Sequence, residues 1–387
     1  MNKTNPEILP LRCHDCGQPA LVIANGYETF YRVTSDCKPW PPGGCLARCS
    51  ACGLVQNPVT KQWGEEASQI YANYTIYHQS GGAEQNVFDP QSGAGKPRSD
   101  KLIQSLRSEC ALPTSGRLLD IGCGNGGFLS AWSRLIPGWS LCGSEVSEKY
   151  KARVESIPGV EQLYTCDIDQ IPGPFDLISL VHVLEHIPSP SDFLRRVRSK
   201  LKPGGLLFVE VPDCEQSVFM LLVADHCSHF SPPLLGGLVS AAGFEVLHAT
   251  NTWVAKEVSV AARLVASPGS TAPLRLPEPD SLKVFGGWER LAAIVAKIEP
   301  LKQQANFGLF GTAIAATWLD AQTQSAARFF VEEDRNRVGR KHLGRPIFAP
   351  EDVPAQATVF VALPQPLAGQ VAERLARVQR GLNVVLP

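Results

Sequence analysis

Residues 118–127 read LLDIGCGNGG, a short apolar run that leads directly into a glycine-rich turn. Glycine lets the backbone adopt dihedral angles that a Cβ atom forbids, and it lets the chain approach a ligand closely. The helix-like residues 128–135 follow, so the pattern predicts a strand, a glycine-rich loop and a helix. On its own this pattern fits either a dinucleotide site or an ordinary tight turn between a strand and a helix.

The sequence around this loop predicts an α/β fold. Short apolar runs alternate with helix-like stretches, which is typical of a parallel sheet with crossover helices. A helix is predicted over residues 191–201, where apolar residues recur at helical spacing before KPGG at 202–205 ends the pattern. Two later β-rich runs, at 244–248 and 257–265, could pair as an antiparallel edge. The predicted parallel strands cover residues 117–121, 140–145, 162–167, 175–181 and 205–211.

Polar residues at the ends of the predicted strands indicate what the loop binds. Glu145 ends the second strand, where a doubly wound fold presents a carboxylate to ribose hydroxyls. Asp167 and Ile168 close the third strand, where a side-chain acceptor can meet an adenine amino group. The fourth strand leads into HVLEHIP at residues 182–188. Together these features favour a cofactor site over a plain turn.

The same features resemble the class I S-adenosylmethionine-dependent methyltransferases, whose fourth strand and following helix carry a comparable stretch ending in a Lys-Pro-Gly-Gly turn. The resemblance implies a Rossmann-like core with S-adenosylmethionine as cofactor. A nicotinamide cofactor is less favoured, because Gly127 and Phe128 depart from the usual packing of a third glycine against the helix. The residues expected to hold the cofactor are Asp120, Gly122, Cys123, Gly124, Glu145, Val146, Asp167, Ile168 and His182.

Four cysteines near the start of the chain predict a metal site. They form two Cys-x-x-Cys pairs, Cys13 with Cys16 and Cys49 with Cys52. Two such turns can supply four thiolates in a tetrahedron, which is the preferred arrangement for structural Zn²⁺. The pairs are farther apart than is usual, and Cys37 and Cys45 lie between them as possible substitute ligands. The alternative is that these are ordinary buried cysteines without a metal.

Candidate catalytic groups follow the fifth predicted strand. Asp225 and His226 are adjacent, and histidine is the natural general base near neutral pH when a carboxylate orients it. Metal binding, or helix capping by Ser231, would explain this stretch equally well. Tyr71, Tyr74 and Tyr77 are three residues apart and would form a stripe on a helix. Such a stripe serves either core packing or an aromatic wall over the cofactor and acceptor.

The whole layout resembles one subgroup, the zinc-containing C-methyltransferases of nucleotide-activated deoxysugars. The resemblance implies that His226, with Asp225 in the place of a glutamate, is the base. It also implies that Tyr77 is an active-site tyrosine and that His182 lines the floor of the site. Val223 and Ala224 do not match the tyrosine and first histidine of the subgroup's Tyr-His-Glu-His run. O-methylation of a sugar hydroxyl therefore remains an alternative to C-methylation.

The chain of 387 residues is long enough for more than one core. We expect a zinc-binding N-terminal lobe over residues 1–95 and a methyltransferase domain over 96–266. A proline-rich linker is expected at 267–285. Residues 286–387 are expected to form a smaller Rossmann-like α/β domain that acts as a lid on the substrate side.

Composition limits the partners. The formal net charge of −1 argues against nucleic acid as the main partner, and so against an RNA methyltransferase. No apolar run is long enough to span a membrane, and the first residues do not form a signal peptide. We therefore expect a cytoplasmic monomer or homodimer that acts on a small molecule, a nucleotide sugar. The alternatives are O-methylation of another small metabolite or of a polysaccharide sugar, and a non-catalytic zinc-stabilised binding protein with a vestigial methyltransferase core.

Overall fold

The computed structural model describes residues 11–75, 84, 86–88, 95–265, 273–365 and 367–387. They form three units in chain order, each built around its own sheet. No helix among the described residues is long and apolar enough to cross a membrane.

The described part of the N-terminal lobe consists of short strands and one α-helix. Its elements are β1 (Leu21–Ile23), β2 (Arg32–Val33), β3 (Pro39–Trp40), β4 (Ala47–Cys49), β5 (Val55–Gln56) and α1 (Lys61–Ala72). The Thr60 side chain caps α1 by accepting a hydrogen bond from the Trp63 backbone N–H at 3.1 Å. Because α1 ends at Ala72, Tyr71 lies on the helix and Tyr74 lies beyond it, so these two tyrosines do not form a stripe on one helix. Tyr77 lies outside the described residues.

The central domain carries the predicted strands together with short strands that the sequence did not predict, at 86–88, 95–97 and 228–229. They are β6 (Asn86–Phe88), β7 (Gly95–Pro97), β8 (Arg117–Ile121), β9 (Ser140–Ser144), β10 (Val160–Tyr164), β11 (Phe175–Val181), β12 (Leu201–Pro212), β13 (Ser228–His229), β14 (Phe244–Thr250) and β15 (Glu257–Leu264). The helices are α2 (Arg98–Glu109), α3 (Gly127–Leu135), α4 (Lys151–Glu155), α5 (Pro190–Arg198) and α6 (Pro232–Ala241).

The seven-stranded central sheet has the order β10-β9-β8-β11-β12-β15-β14. Strands β8 to β12 are parallel, whereas β15 is antiparallel to both β12 and β14, which confirms the expected antiparallel edge. The strand order reverses between β8 and β11. Ligands of open α/β sheets bind in the crevice beyond the carboxyl ends of the strands at such a switch point. The glycine-rich loop after β8 lies at this point.

Contacts between the lobe and the central domain fix their relative position. Strand β13 pairs with β5 and so extends the lobe's sheet to the order β1-β4-β5-β13. The Asp15 carboxylate accepts hydrogen bonds from the backbone N–H and the hydroxyl of Ser191, at 2.9 and 2.8 Å, in the first turn of α5. The Ser189 hydroxyl donates to the His14 carbonyl at 2.6 Å. The first cysteine pair is thereby anchored to the central domain.

Residues 276–285 of the segment predicted as a linker contact the N-terminal lobe and form a helix. The Leu276 backbone N–H donates to the Cys52 carbonyl at 2.8 Å, and the Ser281 hydroxyl donates to the Gly53 carbonyl at 2.5 Å. A helix, α7 (Glu278–Phe285), begins inside the proline-rich stretch, since Pro279 occupies the first turn, where proline is tolerated. The chain therefore packs on the cysteine lobe before entering the third unit.

The C-terminal unit is the small α/β domain that the sequence predicts. Its sheet has the order β18-β19-β17-β16-β20-β21, and β16 is parallel to both its neighbours. The strands are β16 (Phe307–Phe310), β17 (Phe329–Val331), β18 (Lys341–His342), β19 (Arg345–Phe348), β20 (Thr358–Val361) and β21 (Asn383–Val385). The helices are α8 (Gly287–Ile298), α9 (Ile314–Gln322) and α10 (Leu367–Val378).

Candidate cofactor and acceptor site

The glycine-rich loop depends on the absence of side chains at two positions. Gly122 and Gly124 have φ angles of +68° and +55°, in the left-handed region that favours glycine. A Cβ atom on Gly122 would lie 2.4 Å from Val183 Cγ2. The Gly124 N–H donates to Glu145 Oε2 at 3.0 Å, so the loop is tied to the end of β9.

Two predicted cofactor residues of this loop are buried. Asp120 Oδ1 accepts a hydrogen bond from the Ser179 hydroxyl at 2.7 Å across the β8–β11 pair. Burial raises the pKa of the Asp120 carboxyl to about 7. Cys123 is also buried, and burial raises the pKa of its thiol, which is therefore neutral. Asp120 thus lies on β8, just before the loop, and ties β8 to the neighbouring strand.

The adenosine side of the predicted site lies along the ends of β9 and β10. Glu145 Oε1 accepts from the Val146 N–H at 2.8 Å, and the Val146 side chain is 94% exposed. The exposed Val146 side chain offers an apolar surface on which adenine can pack. The neighbouring Glu145 carboxylate can accept hydrogen bonds from the ribose hydroxyls. Ile168 is buried, whereas the exposed Asp167 accepts from the Asp169 N–H at 2.9 Å and forms an ion pair with Arg196.

His182 directly follows β11 at a left-handed φ of +55°. Its Nδ1 lies 3.2 Å from Glu185 Oε1, and its Nε2 lies 3.5 Å from Glu257 Oε2. Nε2 is also 2.7 Å from Arg98 Nη1. His182 therefore bridges two carboxylates beside one guanidinium. Sequence reasoning predicted His182 but missed Arg98 and Glu257.

Burial dominates the protonation of this cluster. It lowers the pKa of His182 well below its usual range and raises the pKa of Glu185 and of Glu210, which lies on β12, well above theirs. The pKa of Glu257 is raised from 4.5 to about 7 by burial, against the attraction of Arg98. The cluster therefore holds protons at neutral pH, and Glu257 titrates in the range where general bases work.

The expected pairing of Asp225 with His226 is wrong. The Asp225 carboxylate accepts from the backbone N–H and the hydroxyl of Ser35, at 2.9 and 2.5 Å, and lies 3.5 Å from His186 Nδ1. The His226 ring packs edge-on against the His186 ring, with 4.6 Å between their centroids. Burial lowers the pKa of His226 well below its usual range, so the imidazole is neutral. Asp225 therefore lies against His186, the residue whose ring packs on His226.

The four cysteines of the two Cys-x-x-Cys pairs converge. Cys13 Sγ lies 3.7 Å from Cys52 Sγ, and Cys16 Sγ lies 3.6 Å from Cys49 Sγ. All four sulfur atoms lie within 4.8 Å of one another. A tetrahedron with metal–sulfur bonds of about 2.3 Å has sulfur–sulfur edges of about 3.8 Å, so the set fits a thiolate-bound metal. The group formed among the described residues does not include Cys37 or Cys45.

Two pockets adjoin at the C-terminal domain. The first, with a volume of about 210 Å³, lies between Arg98, Lys256 and Glu257 on one side and the carboxyl ends of β16, β17 and β20 on the other. The second, of similar volume, is lined by the cationic side chains of Lys38, Arg337, Arg340 and Lys341, and none of the described residues that line it is acidic. Thr312 and Arg337 line both pockets.

Residues 97–249 match the family described as "Methyltransferase domain". The central domain is therefore an S-adenosylmethionine-dependent methyltransferase domain, as the glycine-rich loop predicts.

Similar curated proteins are ubiquinone biosynthesis O-methyltransferases. That of Ralstonia nicotianae is 29% identical, over 34% of this chain and 65% of the relative. That of Xanthomonas campestris is 33% identical, over 31% and 53%. The chain thus spans about half to two thirds of the length of these relatives.

Among solved structures, similar chains include an S-adenosylmethionine-dependent methyltransferase from Mesorhizobium loti. It has 19% identity and a TM-score of 0.35 over 42% of this chain and 97% of that chain. CalO1, a methyltransferase of calicheamicin biosynthesis in its SAH-bound form, has 20% identity and a TM-score of 0.36 over 44% and 54%.

Proposed function

We propose that the protein transfers the methyl group of S-adenosylmethionine to a carbon or hydroxyl of a nucleotide-activated sugar. The observation that carries this proposal is the pair of adjoining pockets. One connects the methyltransferase domain to the C-terminal sheet, and the other is cationic. An acceptor with a polar sugar at one end and phosphates near the other would match this division.

The donor is proposed to lie on the row of residues at the carboxyl edge of the central sheet. Gly122, Cys123 and Gly124 would let the cofactor approach the backbone. Glu145 would accept from the ribose hydroxyls, with Val146 and Ile168 beside the adenine. Asp167 forms an ion pair with Arg196, so its carboxylate would have to contact Arg196 and the adenine amino group at the same time.

The phosphates of the acceptor are proposed to lie at the C-terminal domain. The loop after β16 leads into α9, whose N-terminus offers backbone N–H groups and the positive end of a helix dipole. Arg337 donates to the Thr312 hydroxyl at 3.0 Å, which holds its guanidinium between the two pockets. Arg340 and Lys341 would add charge to the cationic pocket. A diphosphate needs this combination of cations and N–H donors.

The reaction requires a group that takes a proton from the acceptor. With S-adenosylmethionine bound, the electron pair left on the acceptor carbon or oxygen would form a bond to the methyl carbon. The bond from that carbon to sulfur would break, and S-adenosylhomocysteine would leave. His226 is the expected base, with His182 and Tyr77 shaping the acceptor site. The structure adds Glu257, which lines the first pocket and whose pKa is about 7.

The cysteine site is proposed to hold structural Zn²⁺. Four thiolates leave no open coordination position, so the ion would stabilise the lobe and take no part in methyl transfer. The Gln56 amide donates to Cys13 Sγ at 3.1 Å, an outer contact that helps to orient a ligating thiolate.

Turnover with a panel of nucleotide sugars tests the proposal. We expect S-adenosylhomocysteine to accumulate only when an acceptor is present, with the acceptor one methylene heavier by mass spectrometry. His226→Ala should abolish turnover while leaving cofactor affinity unchanged, and unchanged turnover would remove His226 from the mechanism. If Glu257 is the base, Glu257→Gln should likewise abolish turnover and leave cofactor affinity unchanged. Unchanged turnover would remove Glu257 from the mechanism.

A second candidate is O-methylation of another small metabolite, because the similar curated proteins are O-methyltransferases by name. It predicts turnover with a hydroxylated acceptor that lacks phosphate. Activity on such acceptors with none on nucleotide sugars would favour this candidate.

A further inference from the structure

Three side chains beside His182 form a cluster apart from the cysteine site. They are Glu185, His186 and His226, and each offers one ligand atom within 4.8 Å of the others. We propose that these residues bind a divalent transition-metal cation at the acceptor side of the methyltransferase domain. The set is one carboxylate and two imidazoles, unlike the four thiolates of the lobe.

Glu185 supplies an independent indication of a missing cation. It is 1% exposed, and neither carboxylate oxygen accepts a well-formed hydrogen bond from the part of the chain that is described. Partial compensation comes from His182 Nδ1, 3.2 Å from Oε1, and from the backbone N–H of Glu185 itself. A buried carboxylate without such bonds is costly, whether it is ionised or has to take up a proton. A bound cation would remove this cost.

His186 is oriented as metal-binding histidines usually are. Its Nδ1 lies 2.9 Å from the Asp225 carbonyl oxygen and 3.0 Å from the Tyr71 hydroxyl. The Asp225 carboxylate, fixed by Ser35, is 3.5 Å away. Donation from Nδ1–H to the carbonyl leaves the lone pair on Nε2, and an outer partner of this kind sets the tautomer and direction of a ligand.

His226 is held in position through its backbone. Its carbonyl accepts from the Asn57 amide at 2.8 Å, and its side chain is almost completely buried against the His186 ring. Within the described ranges neither ring nitrogen has a hydrogen-bond partner. A neutral imidazole so placed has a lone pair for a cation.

The ligand chemistry narrows the choice of metal. Two imidazoles and one carboxylate suit Zn²⁺, Fe²⁺, Co²⁺ and Mn²⁺, and such three-ligand sites keep open positions. Mg²⁺ and Ca²⁺ prefer all-oxygen shells. An acceptor oxygen at an open position would be polarised and would lose its proton more easily. This role rests on the proposed function, although metal binding itself does not. In this role His226 would be a metal ligand, so Glu257 would take the proton in place of His226.

Metal titration of the full chain tests the site. The protein is dialysed against a chelator mild enough to leave the thiolate-bound ion and is then titrated with Co²⁺ by calorimetry, with metal content measured by mass spectrometry. We expect one Co²⁺ equivalent beyond the cysteine site. Its absorption bands should lack the thiolate charge-transfer intensity of a cysteine site.

Glu185→Gln and His226→Ala should each abolish this second equivalent. His248→Ala should keep it, because His248 lies on β14 and contacts the Glu109 carbonyl. Glu185→Gln is nearly isosteric and replaces a buried carboxyl with a neutral amide, so it should stay folded, which thermal unfolding checks. No second equivalent in the wild type, or a second equivalent that survives both variants, would overturn the proposal.

Turnover is measured separately on the same preparations. Metal binding without methyl transfer would refute the proposed function and leave the site intact. Methyl transfer that is unaffected by loss of the second equivalent would refute the metal's role in the reaction.

Discussion

Gly122→Ala should weaken cofactor binding more than it weakens the fold. A Cβ atom at this position would lie 2.4 Å from Val183 Cγ2, about 1 Å closer than an ordinary contact. The φ of +68° adds left-handed strain of about 1 kcal/mol for a residue other than glycine. Overpacking of this kind costs a further 1–3 kcal/mol, roughly. The loop has to move to relieve the close contact with Val183 and the backbone strain.

We expect the loop to move away from its binding geometry, so that restoring this geometry on cofactor binding costs about 2 kcal/mol. The affinity for S-adenosylmethionine then falls roughly 30-fold. Isothermal titration calorimetry with S-adenosylhomocysteine measures the change. Gly204→Ala is the matched control, because Gly204 has a φ of +76° and no atom within 4 Å of the added Cβ. It should lose about 1 kcal/mol of stability and no cofactor affinity. A folded Gly122→Ala variant with wild-type affinity would refute the reasoning.

Three further predictions follow from the other sites. Cys49→Ser should release the lobe's metal and lower the unfolding temperature, whereas Cys45→Ser should keep one metal by mass spectrometry; equal metal content in both would contradict the thiolate site. Arg340→Ala should weaken binding of a nucleoside diphosphate about tenfold by calorimetry, whereas Arg335→Ala, 91% exposed at its side chain and lining neither pocket, should not. Equal effects of these two substitutions on binding would exclude the cationic pocket as the diphosphate site. Because the pKa of Glu257 rises from 4.5 to about 7 on folding, the folded protein holds a proton there that the unfolded chain releases. Stability should therefore fall as the pH rises from about 4.5 to about 7, and Glu257→Gln should flatten this fall in urea unfolding; an unchanged pH profile would refute the shift.

The central sheet could be predicted from the sequence because its signals are local. The glycine-rich loop, the apolar strands and the helix before Lys202 are each specified within about ten residues. The cysteine pairs were found by spacing alone. The third strand lies slightly earlier than predicted and ends at Tyr164, because Asp167, its last predicted residue, instead caps the helical turn over Ile168–Gln170.

The acceptor side could not be predicted in the same way. Asp225 and His226 are adjacent in sequence, but Ser35 of the N-terminal lobe takes the Asp225 carboxylate. Glu257 reaches His182 only because β15 pairs with β12, and Arg98 reaches it from the start of α2. These contacts join distant segments, and a glutamate at the start of β15 does not by itself indicate a site.

Transfer of a labelled methyl group tests the central claim most directly. The protein is incubated with S-adenosylmethionine carrying a carbon-13 methyl group and with a mixture of nucleotide sugars, and the product is examined by NMR. We expect the label on a carbon or oxygen of a sugar that is still joined to its nucleotide diphosphate. Label that stays in S-adenosylmethionine, or that appears only in an acceptor without phosphate, would contradict the proposed function.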